Sequence, residues 1–500
     1  MALLLHAPLE VLLQITSHLS TPEYGCLRRT CRQIEAVLFG AFAEEFFSKR
    51  QFALMECSIR VLVDIAKSRL GPCLTHLIIH LEHPDLLHFG DGGAHDVATG
   101  VRYNRMQAEY FNHDEFISTG HDVEMLSDAL GHLPNLVTVG MRDFHSTTRR
   151  RDGGVWNSYG IPTLLASIQS RTMALPRRTP NPHMRQRGHE YTCHVFQTIL
   201  RAMGHSAVAG GNTKLTRIEV LLHSCLLADS AFKIPNRFDA GISLALTKLT
   251  TIFLDHLSDE RPWMWVHHKD DATRIVGEVG YFLSRFLTKV PALEHLRLNF
   301  QLCDMYRVEK LLSWLAGTGE NPTVAMPKPE ESFELANATD SLPALYPPAP
   351  KFSKLKAIDI GMAIVKVPTL LGLYQRYRSS LEEVGIHKTT LYSDTKTNTN
   401  MLARLCRDMA EADLQLRKLS LSHVRQASGI VTPRDFIFKE SKCKHVKVWK
   451  GSTFAQSVKD ITDELVFSSR RDKDDDGLLP FLDKLTSCAV FCHCERFAAC

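Results

Sequence analysis

The chain has 500 residues, 44% of them hydrophobic, with a formal net charge of +4 and a sequence pI of about 8.3. That is enough apolar material for a sizeable core, and it excludes both chain-wide disorder and the overall basic character of a nucleic-acid-coating protein. Thirteen cysteines is an odd count, and most of them stand singly inside apolar helical patterns as small hydrophobes, the usage of a reducing compartment.

The first stretch, MALLLHAPLEVLL, is apolar but has no basic leading region and no small-residue cleavage site, and Glu10 interrupts it. It does not read as a signal peptide. No run approaches 18 uninterrupted apolar residues, so no membrane span is expected. A soluble cytoplasmic or nuclear protein is the expectation.

Three short helices are predicted next. Pro8 suits the first helical position, and Leu9, Leu12, Leu13, Ile15 and Leu19 follow at helical spacing around more than one face. Ser20-Thr21-Pro22-Glu23 has the form of a capping box, a Ser with a Glu three residues on. Tyr24, Leu27 and Cys31 form the stripe of the second helix. Ile34, Val37, Leu38, Ala41 and Phe42 form that of the third. So small a unit cannot bury all of these side chains. The surplus reads as a surface for another protein, or more simply as a helical cap on a larger core.

The segment resembles an F-box. The residues that carry the resemblance are Pro8, Leu9, Glu10, Val11, Leu12, Ile15, Leu19, Leu27, Arg28, Cys31 and Arg32. Ala7 stands where a Leu usually precedes the proline, and the usual Trp near the end of the third helix is absent. The resemblance implies docking of these residues on the Skp-type adaptor of a cullin-based ubiquitin ligase. It assigns 1–48 to the F-box. The stretch 49–73 continues it as a linker helix, similar to that of fungal members.

From residue 74 to 450 a hexad recurs: Leu, two residues, apolar, one residue, apolar. Copies are Leu74-Leu77-Ile79, Leu136-Val139-Met141, Leu215-Ile218-Val220, Leu249-Ile252-Leu254, Leu293-Leu296-Leu298, Leu355-Ile358-Ile360, Leu381-Val384-Ile386 and Leu416-Leu419-Leu421. Cys443-Val446-Val448 is a candidate ninth. Helical patterns precede several copies, such as Val123 to Leu130 before Leu136 and Leu402 to Met409 before Leu416. Strand alternation points the apolar residues inward and the residues between them to a concave face. Helix, turn and short strand in repetition give the rhythm of a leucine-rich repeat. The spacing is irregular: 62, 79, 34, 44 and 62 residues, then 26, 35 and 27. The expected fold class is therefore α+β, a three-helix F-box followed by an irregular α/β leucine-rich-repeat solenoid. An unrelated α/β fold is the alternative.

Two insertions are expected to be disordered. One, near 144–190, holds eight arginines, no lysine and only Asp152 and Glu190 against them, a net +6. The other, near 318–351, holds seven prolines and few large apolar residues. The tail 451–500 ends with Cys488, Cys492, His493, Cys494 and Cys500. Adjacent Cys-His-Cys is poor geometry for one tetrahedral ion, so buried thiols on an apolar helix are the reading there. No metal, cofactor, nucleic-acid or membrane partner is expected. Nor do the nucleophile-elbow, phosphate-loop or zinc-protease spacings occur. A non-enzymatic substrate receptor follows, with an unidentified protein substrate. A leucine-rich-repeat scaffold acting outside any ligase is the alternative function.

Overall fold

The computed structural model describes residues 7–85, 97–145, 157–170, 173–175, 182–211, 214–258, 280–301, 305–318, 347–395, 399–428, 433–438, 444–451 and 453–467. Most of the proline-rich insertion, the arginine runs at 149–151 and 177–178 and the terminal cysteine cluster lie outside them. No helix among the described residues is long and apolar enough to cross a membrane.

Three helices open the chain: α1 (Leu9–Ser17), α2 (Thr21–Arg29) and α3 (Arg32–Phe47). The expected capping box is present, with Ser20 Oγ accepting from Glu23 N–H and the Glu23 carboxylate accepting from Ser20 N–H. There follow β1 (Lys49–Ala53), α4 (Glu56–Ala66), β2 (His76–His80), α5 (Val97–Ser118), α6 (His121–Gly131) and β3 (Thr138–Arg142). Next come α7 (Ile161–Ile168), α8 (Pro182–Val208), β4 (Arg217–Leu221), β5 (Leu227–Ala228), α9 (Asn236–Leu246) and β6 (Thr251–Ser258). Then α10 (Tyr281–Thr288), β7 (His295–Phe300), α11 (Met305–Ala316), β8 (Ala357–Gly361), β9 (Ile364–Lys366) and α12 (Val367–Arg376). Last are β10 (Glu383–His387), β11 (Thr390–Ser393), α13 (Met401–Glu411), β12 (Lys418–Ser422), β13 (Arg425–Ser428), β14 (Arg434–Phe438), β15 (Val446–Lys450), α14 (Phe454–Asp463) and β16 (Leu465–Phe467).

The molecule is a mixed α/β structure built on a large, mostly parallel sheet of order β1-β2-β3-β4-β6-β7-β8-β10-β12-β15. Each clear hexad supplies one strand, and the strands adjoin in chain order. The apolar positions stay in register throughout. Leu77 pairs with Val139, Val139 with Ile218, Ile218 with Ile252, and Ile252 with Leu296. The column runs on through Ile358, Val384 and Leu419. Its members are buried, as are the leading leucines such as Leu74, Leu249 and Leu355. Each buried aliphatic side chain contributes roughly 1.5–3 kcal/mol. One carbonyl arrangement also repeats. The residue after each leading leucine accepts from two successive N–H groups of the next copy, as Thr75 O does from Val137 and Thr138, and Lys356 O from Glu382 and Glu383.

The last three parallel copies extend further. Met362, Lys388 and His423 each stand two residues beyond a hexad with φ near +50°. The chain then turns into β9, β11 and β13, a second parallel run that β14 and β16 continue antiparallel. His256, two residues beyond its hexad and within β6, takes the same left-handed conformation.

Several expectations are corrected. The stretch 49–73 is not a helix throughout: it begins with β1, which pairs with β2. Its inward residues are Arg50 and Phe52, and an arginine in that column hides the strand pattern. Arg50 is accommodated because its guanidinium faces the rings of Phe47 and Tyr159, 5.4 and 5.0 Å from their centroids. The ninth hexad does not continue the parallel run. β15 is antiparallel to β12, and Val446 and Val448 lie opposite Ser422 and Ser420 on the polar side. Trp449, opposite Leu419, carries the apolar column instead. Within 144–190, Ile161, Leu164 and Ile168 bury one face of α7, and α8 begins at Pro182. The long spacings are filled by helices: α5 and α6 before β3, α7 and α8 before β4.

The opposite face of the sheet is polar and internally paired. Arg217 meets Glu219 at 2.6 Å and His295 meets Asp359 at 2.7 Å. Buried Asn299 donates to Asp255 and lies 2.9 Å from His387 Nε2 through Oδ1. Two glycines make room for this. A Cβ at Gly361 would fall on Asn299 Oδ1 and the His387 ring, and one at Gly385 on Asp359 Oδ1. Gly385→Ala should therefore lower stability by about 1–3 kcal/mol. Gly40→Ala, in open space on α3, should raise it by about 0.4–1 kcal/mol. Urea unfolding midpoints with unchanged slopes would show the opposite signs.

Burial also holds several histidines neutral, His76 and His113 among them. It pushes His76 down to about 2, aided by Lys49, Arg142 and Arg217, and His113 down to about 3, aided by His83 and His194. The unfolded chain protonates them near 6.5, so their contribution is complete above that pH and falls as pH drops below it. These two groups alone predict a loss of about 2.4 kcal/mol between pH 6 and 5. Urea midpoints that stay level over that interval would contradict it.

Candidate functional site

The three-helix unit has its own core of Leu12, Tyr24, Ile34, Leu38, Phe46 and Phe47. Tyr24 stands edge-on to Phe42, with ring centroids 5.8 Å apart. Arg28 is fixed inside the unit. Its guanidinium lies 3.4 Å from the Phe42 ring centroid and donates to Glu35 at 2.8 Å. Arg69, from the turn after α4, also donates to Glu35. Hydrogen bonds from Arg69, then Arg28, hold the Glu35 carboxyl below the usual carboxylate range. Glu35 is half-buried and Arg69 exposed, so solvent screening keeps the effect on stability small. Glu35 links the unit to the element behind it.

The residues singled out in the sequence divide into two sets. Leu12 is buried, and Leu19, Leu27, Arg28 and Cys31 are half-buried against the unit's own core. Pro8, Leu9, Glu10, Val11, Ile15 and Arg32 are exposed. Pro8, Val11 and Ile15 are spaced i, i+3 and i+7, which puts them on one side of α1. Leu9 and Val11 are each 43% exposed, Ile15 37%, and Val37 on α3 41%. Apolar spacing alone could not separate the two sets, because α1 is apolar on both sides. Val37 was read as part of the inward stripe of its helix and instead faces outward.

The unit joins the sheet through aromatic contacts. Phe47 and Phe52 both stack on Tyr159, with centroids 6.2 and 5.5 Å away. Ile65, Leu70 and Cys73 also pack on the unit's core. The arrangement offers exposed apolar residues, Pro8, Leu9, Val11 and Ile15, on a unit whose interior is already filled. No protein-family model matches the chain, and no curated protein matches it significantly.

The division has a direct consequence for stability. Leu12→Ala should cost about 2–5 kcal/mol, because the site cannot refill. Val11→Asp and Ile15→Asp should stay within about 0.5 kcal/mol of the native chain. Thermal unfolding of the three variants, followed by circular dichroism, would reverse the assignment if Leu12→Ala proved the neutral one.

Proposed function

We propose that the chain is the substrate-recognition subunit of a Skp–cullin–F-box ubiquitin ligase. In this reading α1–α3 are the F-box, and the exposed side of α1 meets the adaptor. The parallel sheet is the inner layer of an irregular leucine-rich-repeat array whose polar face receives a protein substrate. The chemistry belongs to the partner enzymes, and this chain supplies proximity. The observation that carries the reading is the exposed Pro8-Val11-Ile15 side of a helix whose other side is already packed. Apolar side chains in that position have no partner within the described chain, and burying each against another protein would contribute roughly 1.5–3 kcal/mol. Support for the array comes from the in-register hexads and the recurring carbonyl arrangement.

The test is co-purification of the full chain with a Skp-type adaptor, beside the double variant Val11→Asp, Ile15→Asp. Removing residues before Phe52 would be a poor substitute, because it cuts β1 out of the sheet. Stoichiometric capture by the native chain, weakened more than about 100-fold in the variant, is expected. No capture by the native chain would leave a repeat scaffold acting outside the ligase, and equal capture by both would take the docking surface off the exposed side of α1.

A further inference from the structure

At the C-terminal ends of β2 and β3 three side chains from separate parts of the chain converge. His80 is the last residue of β2, Glu82 follows two residues later, and His145 stands three residues beyond β3. His80 Nδ1 lies 3.2 Å from one Glu82 oxygen, and His145 Nε2 lies 3.2 Å from the other. The three donor atoms fall within 4.8 Å of one another. Two donors held at about 2.0 Å by a tetrahedral ion are about 3.3 Å apart. Each nitrogen already has that spacing from one Glu82 oxygen, and the two imidazoles, stacked with centroids 4.5 Å apart, must rotate out of parallel for both nitrogens to face one ion.

His80 is fully buried, at 0% exposure. Neither of its ring nitrogens makes a hydrogen bond of ordinary geometry among the described residues. Leaving such a group unsatisfied costs about 1–3 kcal/mol. The residues behind the donors are also suited to support them. Gln51 on β1 lies 3.1 Å from His145 Nδ1 and 3.0 Å from Ser158 Oγ, and Ser158 Oγ lies 2.7 Å from Glu82. Gln51 Oε1 is itself buried without a partner. Turning that amide by 180° exchanges its oxygen and nitrogen. Its oxygen then accepts from His145 Nδ1–H, while the Ser158 hydroxyl donates to Glu82. This leaves His145 Nε2 and both Glu82 oxygens with free lone pairs toward the centre, the outer support that metal-bound histidines characteristically have.

We propose that His80, Glu82 and His145 bind a divalent transition metal of the zinc class, with Gln51 and Ser158 as positioning residues. Two imidazoles and one carboxylate select such an ion over magnesium or calcium, which take oxygen donors. Three protein donors leave a fourth position for water or for an oxygen or nitrogen donor of a bound molecule. His145, with its side chain 30% exposed, is the side from which the ion enters. The ion would tie β2, the end of β3 and the Ser158 turn together. This proposal is independent of the docking function.

The full chain, stripped with a chelator, would be titrated with Co²⁺ and followed by visible absorption, then challenged with Zn²⁺. Glu82→Gln and His145→Ala would be titrated alongside, after circular dichroism has shown them folded. One Co²⁺ should bind with ligand-field bands but no thiolate-to-metal charge transfer, and Zn²⁺ should displace it. Each variant should weaken binding by more than about 100-fold. The absence of such a site in the native chain would overturn the proposal whatever the variants do. So would binding that carries sulfur charge transfer and is unchanged in both variants, since that ion would sit on cysteines elsewhere.

Discussion

The structure depends on keeping one column of aliphatic side chains in register from strand to strand. A one-residue slip anywhere in the parallel sheet would turn that strand's apolar residues to the polar face and its charged residues to the core. Leu77, Val139, Ile218, Ile252, Leu296, Ile358, Val384 and Leu419 keep to one line across more than 340 residues of sequence. The shared carbonyl after each leading leucine sets the start of the next strand at the same level. Between those anchors the chain tolerates connections of very different length. Loop-closure entropy grows only slowly with length, and helices such as α8, with Val195, Phe196, Ile199 and Leu200 buried, contribute apolar surface of their own.

The polar face is constrained as tightly as the core. Its charges are mostly satisfied by one another, Arg217 with Glu219 and His295 with Asp359. Gly361 and Gly385 are small because side chains from neighbouring strands occupy the space above them. A partner on this face meets a preformed pattern of paired charges, which favours discrimination over raw affinity. The cluster at His80 and Glu82 lies at the end of the same strands, where residues distant in sequence meet because parallel strands all end on one side.

The hexads were legible because strand periodicity is local. Each needs six residues and a buried leading leucine. The preceding helices α6 and α13 were legible because helical periodicity is local too, as was the Ser20 capping box. β1 was not, because its inward column holds Arg50, whose place depends on Phe47 and on Tyr159, over 100 residues away. β15 misled because Val446 and Val448 imitate a hexad while strand direction is decided by the connection. At the docking unit, helical spacing marked the apolar residues but could not tell Leu12 from Val11. The three-donor cluster left only a His-x-Glu pair in the sequence, since His145 lies 65 residues beyond His80 and joins it only through the pairing of β2 with β3.

The junction between the docking unit and the sheet bears on how the two would work together. α3 ends at Phe47 and β1 begins at Lys49, so only Ser48 separates them. The Ser48 carbonyl accepts from Thr75 and His76 N–H, the arrangement that also starts the hexad strands from β3 to β12. The unit is therefore attached directly to the first strand of the sheet rather than on a flexible tether. Arg50, Phe47, Phe52 and Tyr159 fill the space between its core and the first strands. A partner held on α1 would then keep a fixed orientation to the polar face, without the entropy cost that a mobile linker imposes on bringing two bound molecules together. For a protein whose proposed contribution is proximity, that rigidity is the property the fold would have to supply.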